Sequence, residues 1–177
     1  DATLGREGGR ATIDGPSVVT IDGVTLDIDV MMIDGVEYTG PAEVRVTYLD
    51  PYSSDMAFAP GDLSALAFED SLAKNDGPTA PTQLVSNGMF NVQVSTPEGE
   101  EVQASLAASM PVRNGELPEV YRRGAGDTVP LWRWNDGAGI WMEVGSGDVS
   151  GGDGGLSFDF DIGMTDGGWY NCDQPIV

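Results

Sequence analysis

The stretch SVVTIDGVTLDIDVMMIDGVEYTG, residues 17–40, carries the first strong structural signal of the chain. Its aliphatic and β-branched runs, Val18–Ile21, Val24–Val30 and Met31–Tyr38, are cut by Asp22-Gly23 and Asp34-Gly35. Asp-Gly is favoured where both central residues of a two-residue hairpin turn need positive φ, so the stretch predicts successive hairpins. Working outward, AEVRVTYL (42–49) alternates Val44, Val46 and Tyr48 with Glu43, Arg45 and Thr47, the period of a half-buried strand. Further strands are expected at QLVSNGMFNVQVST (83–96), EVQASLAASMPV (101–112), TVPLWRWN (128–135), IWMEVGSGDV (140–149) and GLSFDFDIGM (155–164). Asp-Gly recurs at 14, 22, 34, 76, 136, 153 and 166, which spreads turns through nearly the whole chain.

Only residues 61–77, GDLSALAFEDSLAKNDG, can hold a helix, and their first half reads equally as a loop leading into a strand. They sit inside a stretch, 50–81, that carries Pro51, Pro60, Pro78 and Pro81 and reads as a long excursion between strands. GSGDVSGGDGG at 145–155 reads as a flexible hairpin tip. The expected class is all-β: an antiparallel β-sandwich spanning 1–177 as a single domain, its first ten or so residues an extended arm. Val44, Val46, Leu131, Trp141 and Phe160 are expected in its core.

Charge narrows the partners. Twenty-nine acidic residues against eight basic ones give a net charge of −21. That field repels nucleic acid phosphates and anionic lipid surfaces. It suits a saline or calcium-bearing exterior where counterions screen self-repulsion. No apolar run approaches the roughly 18 residues a membrane-spanning helix needs, so no membrane insertion is expected. The start, DATLGREGG, has no initiator Met and reads as a mature or excised segment.

Catalytic signatures are missing: there is no histidine, no GxSxG, no P-loop and no CxxC, so no enzyme and no resident cofactor are expected. Period two places Asp27 with Asp29, and Asp159 with Asp161, on one face of their strands. These acids read as a solvated outer face, as the paired carboxylates of a glycosidase, or as calcium ligands, calcium being the better of the two functional options. For calcium the turns around Asp136 and Asp153 would add carbonyl oxygens, though neither has the spacing of an EF-hand loop. Trp132, Trp134 and Trp141 flank one hairpin turn and read either as core packing or as a platform for sugar rings. Cys172, the one cysteine, has no basic residue after Arg133 to stabilise a thiolate and reads as a small buried hydrophobe. An exposed C-terminus would instead leave it open to an intermolecular disulfide.

YTGPAEVRVTYLDP, APGDLSA, LVSNGMFNVQV, VPLWRWNDGAGIWMEVGSG and WYNCD, in that order over about residues 38–173, resemble the ZU5-like β-sandwich module of bacterial extracellular proteins, related to a segment of cartilage intermediate layer proteins. In such modules the last strand often carries His-Phe-Ser, and some relatives cut themselves there by attack of the hydroxyl on the preceding carbonyl. The matching positions here are Asp166, Gly167 and Gly168, which supply neither nucleophile nor histidine. The hydroxyl of Thr165 lies outside the motif. The resemblance therefore implies a non-catalytic structural or adhesive module of a secreted or cell-surface bacterial protein, with other domains or subunits of an extracellular assembly as partners. A glycan- or calcium-binding module, and a self-processing domain that has lost its chemistry, are the alternatives.

Overall fold

The computed structural model describes residues 8–66, 82–115, 117–152 and 155–175. Twelve strands follow in chain order: β1 (Gly9–Asp14), β2 (Ser17–Ile21), β3 (Val24–Ile33), β4 (Val36–Glu37), β5 (Pro41–Leu49), β6 (Ser64–Leu66), β7 (Thr82–Ser95), β8 (Gln103–Pro111), β9 (Thr128–Asn135), β10 (Ile140–Gly152), β11 (Gly155–Thr165) and β12 (Gly168–Pro175). Two short 3₁₀ turns, Ser54–Phe58 and Glu119–Tyr121, interrupt them. The Asp-Gly turns behave as their chemistry demands: Asp22 and Asp34 take φ of 52° and 50°, and Gly23 and Gly35 follow at 82° and 78°.

The strands form one sheet in the order β1-β5-β7-β12-β9-β10-β11-β8-β3-β2, with β4 on β3 and β6 between β7 and β10. Every pairing is antiparallel except that of β6 with β10. Residues Ile140–Asp148 of β10 pair with β9, whereas Asp148–Gly152 pair with β11. β10 thus passes from one half of the folded sheet into the other, and the two halves enclose a core in the manner of a sandwich. That core takes Val44 and Val46 from β5, Phe90 and Val92 from β7, Leu131 from β9, Phe160 from β11 and Tyr170 and Cys172 from β12, all buried. Tyr48 ties the halves together by donating its hydroxyl to the carbonyl of Pro111, at 3.0 Å.

A second core lies on the opposite face of β7, β12, β9 and β10. The pairings β7-β12, β12-β9, β9-β10, β10-β6 and β6-β7 close a ring. Leu49, Ala65, Leu84, Met89, Trp132 and Trp141 are buried in this cluster. Met56, Ala59 and Leu63 of the proline-containing excursion pack against it. The excursion is therefore a cover whose three-residue strand supplies the missing link, and Ser64–Leu66 take the strand alternative rather than a helix. The rest of the helix candidate, 67–77, lies outside the described residues.

Three further boundaries differ from expectation. Residues 145–152 are strand rather than hairpin tip, because both neighbours of β10 need its backbone; only 153–154 remain, outside the described residues. Gly9 and Arg10, at the end of the expected extended arm, open β1, paired with Val46 and Arg45. The runs Val24–Val30 and Met31–Ile33 are one continuous strand, β3, rather than two, and the expected Asp34-Gly35 turn folds Val36–Glu37 back on it.

Phe90 is fully buried, its ring centroid 5.9 and 5.8 Å from those of Phe160 and Tyr170, whereas Val18 on β2 is 66% exposed. Phe90→Ala is expected to lower stability by about 3–5 kcal/mol, and Val18→Ala by about 0.5 kcal/mol or less. Urea unfolding midpoints of the two variants test this.

Candidate functional site

The turn that leads from β11 into β12 holds Asp166, Gly167 and Gly168, the positions matched above to His-Phe-Ser. Thr165 is buried; its hydroxyl shares a 2.6 Å hydrogen bond with the Tyr170 hydroxyl and accepts the amide of Gly167 at 3.0 Å. Arg133 clamps the turn from β9, donating to the Asp166 carboxylate and, at 2.7 Å, to the Gly167 carbonyl. Gly167 has φ of 96°, and a Cβ there would stand 2.5 Å from the Val92 carbonyl oxygen. Glycine is thus a steric requirement at 167, and the Thr165 hydroxyl, the Asp166 carboxylate and the Gly167 amide and carbonyl are engaged in holding the turn closed.

The candidate calcium ligands are dispersed. Asp159 and Asp161 are exposed and share a shallow, open surface with Asp27 and Asp148. Asp159 accepts the Ser150 hydroxyl at 2.7 Å, and Asp148 that of Thr128 at 2.9 Å. Asp136 lies in the β9–β10 turn and accepts the Trp134 indole N–H at 2.7 Å. Asp153 lies outside the described residues. Among the described residues, no three Asp, Glu, Cys or His side chains stand close enough together to hold a metal ion. The three hairpin tryptophans also part company: Trp132 and Trp141 are wholly buried in the second core, and Trp134 at its rim is half-buried, edge-on to Trp141 with centroids 5.7 Å apart.

β12 gathers the most unusual chemistry. Residues Tyr170–Gln174 are all buried, with Tyr170 and Cys172 in the sandwich core. Cys172 is a free thiol; burial, reinforced by the Asp173 carboxyl, pushes its pKa well above the ordinary thiol value. Asp173 is fully buried, and loss of solvent raises its pKa to about 8 against the pull of its hydrogen-bond donors. Those donors are, with the neighbouring Ser86 hydroxyl, the Asn171 amide and the backbone N–H of Asn87 at 3.3 Å. The Ser86 hydroxyl donates to Asn171 Oδ1 at 3.3 Å, and the Asp173 carbonyl accepts the Trp132 indole N–H at 2.9 Å.

Gln174 extends the network by donating to Asn87 Oδ1 at 3.1 Å and to the Tyr121 carbonyl at 2.9 Å. Asn114 exchanges two 2.8 Å hydrogen bonds with the backbone of Arg123. The segment around Tyr121 is thereby pinned to the sheet, and Asn114 is tied to Arg123. The β7 side is shaped by an irregularity: Asn171 pairs with Met89 but Asp173 with Ser86, so the two residues Asn87 and Gly88 stand opposite the single residue Cys172. Gly88 has φ of 146°, and a Cβ there would lie 2.8 Å from the Tyr48 hydroxyl. Sequence reasoning marked Cys172 and passed over Ser86, Asn87, Asn171, Asp173 and Gln174. The available signal was three polar residues, Asn171, Asp173 and Gln174, in a strand that opens with Trp169 and Tyr170.

Fold and site together define an all-β, sandwich-like protein whose buried polar residues knit strands and loops. Over 119 residues, 67% of this chain, it is 37% identical to cartilage intermediate layer protein 2 of Mus musculus. It is 34% identical over 111 residues, 62% of this chain, to the protein of that name from Homo sapiens. The chain is related to a segment of those proteins and spans only 9% of the length of each. No protein-family model matches it. No solved structure matches it significantly.

A carboxyl whose folded pKa is raised contributes stability that is full below its unfolded pKa, near 3.8. That contribution is lost as pH rises toward about 8. Asp173→Asn removes the proton but keeps hydrogen-bonding capacity. The variant is expected to gain stability relative to the parent between mildly acidic and mildly alkaline pH, because only the parent's carboxylate, ionised in the unfolded chain, must take up a proton to be buried. Urea titrations of both at the two ends of that window check it; parallel losses in parent and variant would refute a neutral Asp173.

Proposed function

We propose that residues 1–177 act as one non-catalytic structural or adhesive module of a secreted or cell-surface protein, joined to other domains or subunits of an extracellular assembly. The observation that carries this reading is the 37% identity over 119 residues to part of a protein named for a layer of cartilage, an extracellular tissue. The site geometry supports it. The turn at Asp166–Gly168 spends its polar groups on closure, and Asp173 is enclosed among amides. Among the described residues no helix is long and apolar enough to cross a membrane. The finer reading, a ZU5-like module of bacterial origin that has lost self-cleavage, rests on the motif resemblance across residues 38–173.

Two outcomes follow. In cells making the parent polypeptide, this segment should be recovered from the medium or be open to protease added to intact cells; confinement inside intact cells would overturn the proposal. The purified chain should keep its mass on prolonged incubation, whereas scission between Thr165 and Trp169 would restore the self-processing reading. No metal is needed for the proposed role. The melting temperature should therefore rise with sodium chloride through screening, and calcium chloride at matched ionic strength should add little. A saturable, chelator-reversible calcium shift would show a site instead.

A further inference from the structure

A groove of about 600 Å³ runs along the outer face of β7 where the excursion stops covering it. Antiparallel register builds its floor: Asn91 stands opposite Trp169 on β12, and Gln93 opposite Arg45 on β5, so their side chains share one face. Trp134, Trp169 and Pro60 form one wall, and the β7–β8 turn with Gly99 and Glu101 closes the far end. Trp134 and Trp169 both belong to the rim of the second core, half-buried and packed from behind. Trp134 is fixed further by its N–H to Asp136 and by Gly61, where an added Cβ would lie 2.3 Å from the ring.

We propose that this groove binds a neutral oligosaccharide. Pyranose rings present a C–H face that stacks on an aromatic ring, ringed by hydroxyls that both donate and accept. The groove supplies matching parts: two indoles held in place, the amides of Asn91 and Gln93, and the carboxylates of Asp136 and Glu101. The guanidinium of Arg133 is paired with Asp166, and that of Arg45 with Glu43, so both offer donors without adding net positive charge. With −21 on the chain, sulfated or uronate-rich glycans are repelled. An extended peptide finds no backbone to pair with, because β7 is already flanked there by β5 and β12. The volume is in the range of small-ligand sites, and rings anchored from behind lose little freedom on binding. This reading goes beyond the structural role proposed above, and it replaces the buried Trp132 and Trp141 of the hairpin platform with Trp169.

The test is tryptophan fluorescence and calorimetric titration of the whole chain with cellotetraose, xylotetraose and mannotetraose, and with a chondroitin sulfate tetrasaccharide as the anionic probe. At least one neutral probe should bind saturably at up to millimolar concentration. Trp169→Ala should weaken that binding by about tenfold. Gln93→Ala, at an exposed position, should weaken it severalfold with the melting temperature unchanged, so the result does not depend on how Trp169→Ala folds. Absence of binding by every neutral probe, binding of the anionic probe alone, or binding indifferent to both substitutions would overturn the proposal.

Discussion

The closing strand β12 is covered on both faces, and that single circumstance governs the architecture around it. A strand enclosed in this way has no water to fall back on, so any polar side chain it carries must find partners within the protein or forfeit the free energy of its lost hydration. Asn171, Asp173 and Gln174 make that demand at three successive levels. It is answered by Ser86 and Asn87 at the β7 irregularity, by the indole of Trp132, and by the carbonyl of Tyr121 in the loop beyond β8. The carboxyl answers partly by keeping its proton, since charge would cost more than its few donors return. Removing one member would leave others unpaired, so the network is expected to behave as a unit rather than as separate bonds.

The second core follows from the same enclosure. Something must lie over the outer face of β12, and the proline-containing excursion does so, its short strand completing the ring through β7 and β10. Where that cover ends, the sheet returns to a polar face edged by two indoles. Acidic side chains such as Asp136, Asp148, Asp159 and Asp161 keep to solvent, which leaves the protein with an apolar interior in two compartments and a strongly negative exterior.

The strands with strict alternation were legible because one apolar and one polar face leave a period that no other structure produces. β5 and β11 are of this kind, and the Asp-Gly turns announced their own geometry. β6 was legible only as one of two readings, helix or loop leading into a strand, since three residues of Ser-Ala-Leu in a proline-containing stretch owe their conformation to pairing with strands far along the chain. β1 is too polar to stand out, and its pairing with β5 was equally remote. The tryptophans showed the limit from the other side: Trp132, Trp134 and Trp141 do share one face, but only the cover over that face decides which is sealed and which meets water. The neutral carboxyl of Asp173 escaped notice for the same reason, because its partners at Ser86 and Asn87 are more than eighty residues away.

The place of β12 in the sheet also sets an order of events. It is the last of the described strands along the chain, yet it lies between β7 and β9, which precede it. Until it arrives, those two strands present facing edges with open backbone groups, and both apolar compartments lack a wall. Such edges invite pairing with other chains, and contacts closed over such long sequence separation form slowly. During synthesis the sheet can be assembled in parts but not sealed, so an escort for the nascent chain, or rapid completion of the last strand, matters more here than in a fold whose central strand is made first.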